Sequence, residues 1–274
     1  MLTKTINLKT VLKEPFEVNG YLLDQISNDD TAVNDPAVVI CPGGGFTFLS
    51  GREAEPIALK FNSEGYHAFI LNYSLISAGK TVYPGALLEM AATIRMMHQN
   101  KEKWHIDTNR IVLVGFSAGG NIVANYNGIY SQSAFLKKYH LDKDGIAPSA
   151  AILCYPVIDF HLGYPDGHEK KLAVSKDRTY WAAEHLISTG TKPTFIWHTV
   201  TDQVVPMENT LVYVAELKKH HIPFEAHLFA EGKHGLSLAN AITQKSNRPE
   251  DINAHVSHWF NLAVEWLSDR SGKP

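Results

Sequence analysis

Apolar residues fall along this chain in two recurring patterns. Short unbroken runs alternate with longer stretches in which apolar positions return every three or four residues. The runs are AVVIC (37–41), HAFILNY (67–73), RIVLVG (110–115), AAILCYPV (150–157), PTFIWHTV (193–200) and FEAHLF (224–229). Runs this short and this apolar predict strands covered on both faces, as in a parallel sheet. The helical spacing predicts helices over 53–65, 85–100, 207–220 and about 249–267, and one more that starts just after Ser117 and reaches about Tyr130. Strand and helix in alternation mark βαβ units, so the expectation is an α/β fold. The amino-terminal stretch has room for one or two antiparallel strands. Between 158 and 192 the alternation gives way to Gly, Pro, charged and aromatic residues, which predicts a small cap-like insertion over the carboxyl edge of the sheet. With 274 residues and neither repeat nor low-complexity tract, one domain over 1–274 is expected.

Charge narrows the class of partner. A net charge of −3 without a cluster of Lys or Arg offers no electrostatic footprint for nucleic acid or anionic lipid, which points to small neutral partners. No apolar stretch approaches the length of a bilayer span. The opening residues MLTKTINLKTVLKEPF are interrupted by lysine too often for a signal peptide, so a cytoplasmic location is expected. Cys41 and Cys154 are too few for a disulfide framework and fall inside strand runs, where buried thiols are common. Exposed edges and helices leave room for a homo-oligomer, though no pattern identifies an interface.

The chemistry concentrates at GFSAGG, residues 115–120. A serine between glycines, with a buried strand leading in and a helix leading out, fits the sharp turn that exposes a nucleophile at the rim of an α/β sheet. A G-x-S-x-G match alone is weak, and its position supplies the weight. A serine hydroxyl needs a base to take its proton and a third group to hold that base's tautomer. Of fourteen histidines, His198 and His227 lie in strand runs and His220 and His221 close a helix. His234, flanked by glycine and lysine in FAEGKHGLSLA just past the last strand, is placed where ligands gather in α/β sheets. Asp202 follows the penultimate strand and gives the chain order Ser, Asp, His; Asp159 competes because it too follows a strand. Asp202 is preferred, its loop lying nearer in topology to that of His234. In CPGGGF (41–46), glycines directly after a strand let backbone N–H groups converge on a tetrahedral oxyanion, with Gly44, Gly45 and the amide of Ala118 as candidates. The loop has neither the lysine nor the spacing of a phosphate cradle.

Four blocks, CPGGGFTFLSGREAEPIALKFNSEGYHAFILNYSL, DTNRIVLVGFSAGGNIVA, PTFIWHTVTDQVVP and FAEGKHGLSLA, together resemble the acetyl-xylan-esterase-like and hormone-sensitive-lipase-like carboxylesterases of the α/β-hydrolase superfamily, over roughly residues 36–267. The resemblance implies a twisted, mostly parallel eight-stranded sheet flanked by helices and hydrolysis of short acyl esters, often acetyl groups on small alcohols or sugars. It carries over Ser117 as nucleophile, His234 as base, Asp202 as its orienter, and Gly44, Gly45 and Ala118 as oxyanion donors. It implies no metal and no organic cofactor. Two departures bear on substrate preference: Pro42 stands where the hormone-sensitive-lipase-like branch has His, and Asn121 where the nearest esterases have His.

The expected reaction is a two-step acyl transfer through an acyl-enzyme, on a small-molecule ester of acetyl to butyryl length. Tyr164, Tyr180 and Trp181 in the insertion suit either a compact pocket or the filling of a core beneath a loop. The same apparatus would serve a lactone or carbamate hydrolase, and a small peptidase shares fold and residues. A binding protein that kept the fold and lost turnover is the remaining alternative.

Overall fold

The computed structural model describes residues 1–24, 33–77 and 79–270, so 25–32, 78 and 271–274 of the expected single domain lie outside the described residues. Strands β1 (Leu2–Lys9), β2 (Pro15–Leu22), β3 (Asp35–Cys41), β4 (His67–Asn72), β5 (Ile106–Phe116), β6 (Ala150–Cys154), β7 (Thr194–Thr199) and β8 (Phe224–Phe229) form one sheet. Their spatial order is β1-β2-β4-β3-β5-β6-β7-β8. β1 pairs antiparallel with β2, and β2 with β4, while the pairings from β4 onward are parallel. This is an α/β-hydrolase sheet, mostly parallel and eight-stranded as expected.

The unbroken apolar runs follow from burial on both sides. In β3, Ala37, Val39 and Cys41 face one core while Val38 and Ile40 face the other, and β5 divides Ile111 and Leu113 from Val112 and Val114 in the same way. Helices α1 (Glu55–Asn62) and α8 (Trp259–Arg270) cover one face through Ile57, Phe61, Trp259 and Phe260. The other face carries α2 (Gly85–Gln99), α4 (Ala118–Ile129) and α7 (Glu208–Lys219). The short α3 (Lys101–Trp104), α5 (Ser133–Tyr139) and α6 (His168–Val174) have no counterpart in the apolar spacing. Among the described residues no helix is long and apolar enough to cross a membrane.

Some boundaries differ from the sequence expectation for local reasons. β6 stops at Cys154 rather than 157 because Tyr155 takes a left-handed conformation, φ 38°, and Pro156 follows without an N–H for the ladder. α8 begins at Trp259 rather than near 249. The stretch before it consists of single turns in which Asp251 Oδ2 accepts from the Lys245 amide and Asn253 Oδ1 from that of Val256, side-chain bonds that compete with helix formation.

The segment 158–192 starts at the carboxyl end of β6 but packs mostly against α4. Every residue of α4 is therefore buried, including three asparagines. Asn121 accepts from Tyr83 Oη at 2.6 Å, Asn125 donates to the Asn121 carbonyl at 3.0 Å, and Asn127 bridges Lys192 and Thr194. Tyr180 stacks on Tyr83 and Trp181 donates to the Ser175 carbonyl, so both fill core rather than line a pocket.

Candidate active site

Ser117 joins β5 to α4 at φ 51° and ψ −115°, a conformation rarely tolerated outside functional turns. The turn is fixed from outside: the Ser117 amide donates to the Cys154 carbonyl at 3.0 Å, and its own carbonyl accepts from Val157 at 3.1 Å and Asn121 at 3.2 Å. The flanking glycines are there for closeness. A Cβ on Gly119 would lie 2.1 Å from the carbonyl oxygen of Cys41, and one on Gly115 would lie 2.6 Å from that of Gly119. Because the fixed turn at Ser117 ties α4 to β5, and β5 pairs with β3, α4 cannot draw away from β3, and Gly119→Ala is expected to destabilise the protein by about 3 kcal/mol. Urea unfolding checks this, and a wild-type midpoint would contradict the packing argument.

His234 sits in the loop after β8, its Nε2 2.7 Å from Ser117 Oγ and its Nδ1 2.6 Å from Asp202 Oδ2. A carboxylate only accepts, so Nδ1 carries the proton and Nε2 presents its lone pair to the serine hydroxyl. Asp202, in the loop after β7, accepts the amides of Val204 (2.8 Å) and Val205 (3.0 Å) on its other oxygen. Burial pushes its carboxyl up, yet hydrogen bonds from His198 and His234, the charge of His234 and the Val204 amide outweigh this and hold it well below the usual carboxylate range. His198 is fully buried beneath it, with Nε2 2.9 Å from the Val205 carbonyl and 3.3 Å from Asp202 Oδ2. Since that carbonyl can only accept, Nε2 of His198 is the protonated nitrogen. Asp159, the competing acid, instead meets His161 at 2.6 Å.

Gly44, Gly45, Ser117 and His234 line one cleft of about 310 Å³, together with Phe48, Tyr164, Val204 and others. Among the described residues, the amides of Gly44, Gly45 and Ala118 donate to no protein acceptor. Gly44, at φ 133°, holds a backbone shape other residues resist, and its missing Cβ would overlap the Phe48 carbonyl at 2.0 Å. Tyr164 Oη overlies Gly45, where a Cβ would approach it to 2.5 Å. Of Tyr164, Tyr180 and Trp181, Tyr164 reaches the cleft. A larger cleft of about 480 Å³, between Pro36, Arg110, Ser149 and Asp269, lies at the opposite, amino end of the parallel strands, where the Ser149 hydroxyl donates to the Ile111 carbonyl. Among the described residues, no three His, Cys, Asp or Glu side chains gather as a metal site requires.

The sequence expectation passed over His198, Glu53 and Tyr155. The signal for Glu53 was a charged pair, Arg52-Glu53, directly after a loop of small and apolar residues. Glu53 is 3% exposed and lines the cleft.

The BD-FAE family model matches residues 23–217, a span that holds Ser117 and Asp202 and ends before His234. Endo-1,4-beta-xylanase B of Butyrivibrio fibrisolvens is 30% identical over 224 residues, 80% of this chain and 35% of that protein. Acetylxylan esterase of Xylanibacter ruminicola is 25% identical over 216 residues, 74% of this chain and 41% of that protein. The chain thus spans well under half the length of these two curated relatives. Among solved structures, the carboxylesterase Cest-2923 from Lactobacillus plantarum is 42% identical with a TM-score of 0.96, covering 99% of this chain and 98% of that one. An acetyl ester-xyloside bifunctional hydrolase from Caldicellulosiruptor lactoaceticus is 32% identical with a TM-score of 0.75, covering 93% and 88%. Matching in both sequence and sheet, the chain belongs to the BD-FAE family and shares the α/β-hydrolase fold of the carboxylesterase structures it resembles.

Proposed function

We propose that the chain is a serine esterase that hydrolyses short acyl esters, acetyl above all, through an acyl-enzyme on Ser117. His234 Nε2 takes the hydroxyl proton as Ser117 Oγ attacks the ester carbonyl, and Asp202 stabilises the imidazolium that results. The amides of Gly44, Gly45 and Ala118 receive the oxyanion, each well-aimed donor lowering the barrier by about 3 to 4 kcal/mol. The proton on His234 passes to the departing alkoxide, the bond to the alcohol breaks, and water repeats the sequence on the acyl-serine.

The observation that carries this reading is the continuous relay of Ser117 Oγ, His234 and Asp202 at 2.7 and 2.6 Å, beside a cleft with unclaimed backbone donors. The acyl preference is supported by the cleft's volume of about 310 Å³, at the small end for ligand sites. An acetylated sugar as the alcohol part is favoured by the names of the xylan-directed relatives.

A series of p-nitrophenyl esters tests the reading. The expected kcat/KM is highest between acetyl and butyryl and falls by about tenfold or more at octanoyl. A rate that climbs steadily toward long chains would overturn the acyl assignment while leaving the esterase chemistry in place.

A further inference from the structure

We propose that Glu53 is a positioning residue that ties the loop bearing the oxyanion amides to the histidine base, holding both in register about Ser117. The proposal rests on the esterase reading above and adds a group that the three-residue mechanism does not use.

Glu53 ends the single turn Gly51–Glu53, and its carboxylate is buried among donors. One oxygen accepts the Gly43 amide at 2.9 Å, immediately before the two glycines that offer the oxyanion amides. The other accepts Tyr155 Oη at 2.7 Å. Tyr155 is held in its left-handed conformation beneath the base, ring centroid 5.1 Å from that of His234 and nearly perpendicular to it. Its hydroxyl in turn accepts the Ser237 amide at 2.9 Å. The chain of bonds then returns to the same turn, because Ser237 Oγ donates to the Arg52 carbonyl at 2.6 Å.

Arg52 completes the arrangement from the other side. Its Nη1 donates to the Gly235 carbonyl at 2.7 Å, next to His234 in sequence, and its guanidinium lies 3.6 Å from the buried Asp251, which also pairs with Lys233. The residues on both flanks of His234 are therefore fastened to one charged cluster. Neighbouring side chains reach in opposite directions, Glu53 to the oxyanion loop and Arg52 to the base loop, so displacement of either loop strains the other.

The residue type follows from the partners. Gly43 and Tyr155 both donate, and a carboxylate accepts from both. A glutamine of the same shape accepts on one atom only and leaves the other donor buried and unpaired. A buried carboxylate is costly to desolvate, and no step of the acyl transfer consumes its charge. Its place is explained if correct aim of the oxyanion amides and the imidazole depends on it.

The test compares Glu53→Gln, Tyr155→Phe and the double variant with wild type on p-nitrophenyl acetate, with phenylboronic acid as a mimic of the tetrahedral intermediate. For Glu53→Gln the expected result is kcat lowered about 10- to 100-fold, KM within about threefold, and the Kd of phenylboronic acid raised in step with the loss in kcat. The double variant is expected to be no worse than the poorer single variant, because both break the same link. A purely structural role predicts a lowered unfolding midpoint with kcat and boronate Kd within twofold of wild type, and that result overturns the proposal. If Glu53→Gln does not fold, Tyr155→Phe, which removes one hydroxyl, decides by the same two readings. Ser117→Ala runs alongside. Activity that survives it overturns the esterase reading and the proposal with it, whereas activity lost in Ser117→Ala but unchanged in both positioning variants overturns the proposal alone.

Discussion

Ser117→Ala is expected to lower kcat/KM for p-nitrophenyl acetate by about 10⁴- to 10⁶-fold while leaving the fold intact. The loss is large because, among the described residues, the Ser117 hydroxyl is the one nucleophile in the cleft that is hydrogen-bonded to the base. The fold is spared because Oγ makes its hydrogen bond to His234 and caps no backbone group, and because alanine meets the same backbone strain at φ 51° that serine already bears. What remains in the variant is the contribution of the oxyanion amides and of substrate binding. A Ser117→Ala protein that keeps more than about a hundredth of wild-type activity, with an unchanged unfolding midpoint, would place the chemistry elsewhere.

Asp202→Asn is expected to cost about 10⁴-fold in kcat, while Asp159→Asn stays within about twofold of wild type. The asparagine oxygen can still accept the Val204 and Val205 amides, which turns its NH₂ toward His234 Nδ1. The imidazole then carries its proton on Nε2 and donates to Ser117 instead of accepting from it. Asp159 has no such consequence, its partner being the exposed His161. The pH dependence follows from the same geometry. Asp202 is held below the ordinary carboxylate range, so it stays ionised in the folded protein as pH falls through that range, while its stabilising contribution, full above the unfolded-state value, is lost progressively from there down to the lowered folded-state value. Protonation of Asp202 is therefore not what limits activity within the ordinary carboxylate range. Equal losses from the Asp159 and Asp202 variants would undo the assignment.

Much of this was legible because it is encoded locally. The strand runs are continuous since both faces of the sheet are covered, and the glycines around Ser117 are required by a close approach of α4 to β3 that leaves no room for a side chain. The order Ser117, Asp202, His234 along the chain followed from the strands each residue comes after. The remainder depends on contacts between distant segments. Glu53 and Tyr155 lie 102 positions apart, and nothing near either one announces the other. His198 reads in sequence as one more residue of a strand, and its support of Asp202 appears only when the loop after β7 folds back over it. The path of 158–192 along α4 was hidden for the same reason. Its aromatics fit a pocket or a core equally well until the helix beneath them, with its three buried asparagines, fixes which face they meet.

A serine-esterase mechanism requires that Ser117 itself become covalently bonded during the reaction. Incubation with a phosphonylating serine-esterase probe, followed by mass spectrometry of the intact protein and its peptides, answers this directly. The predicted result is a single adduct, located on the peptide containing Ser117 and absent from Ser117→Ala, with hydrolysis extinguished in proportion to labelling. An adduct on any other residue, or full ester hydrolysis by protein already labelled at Ser117, would contradict it.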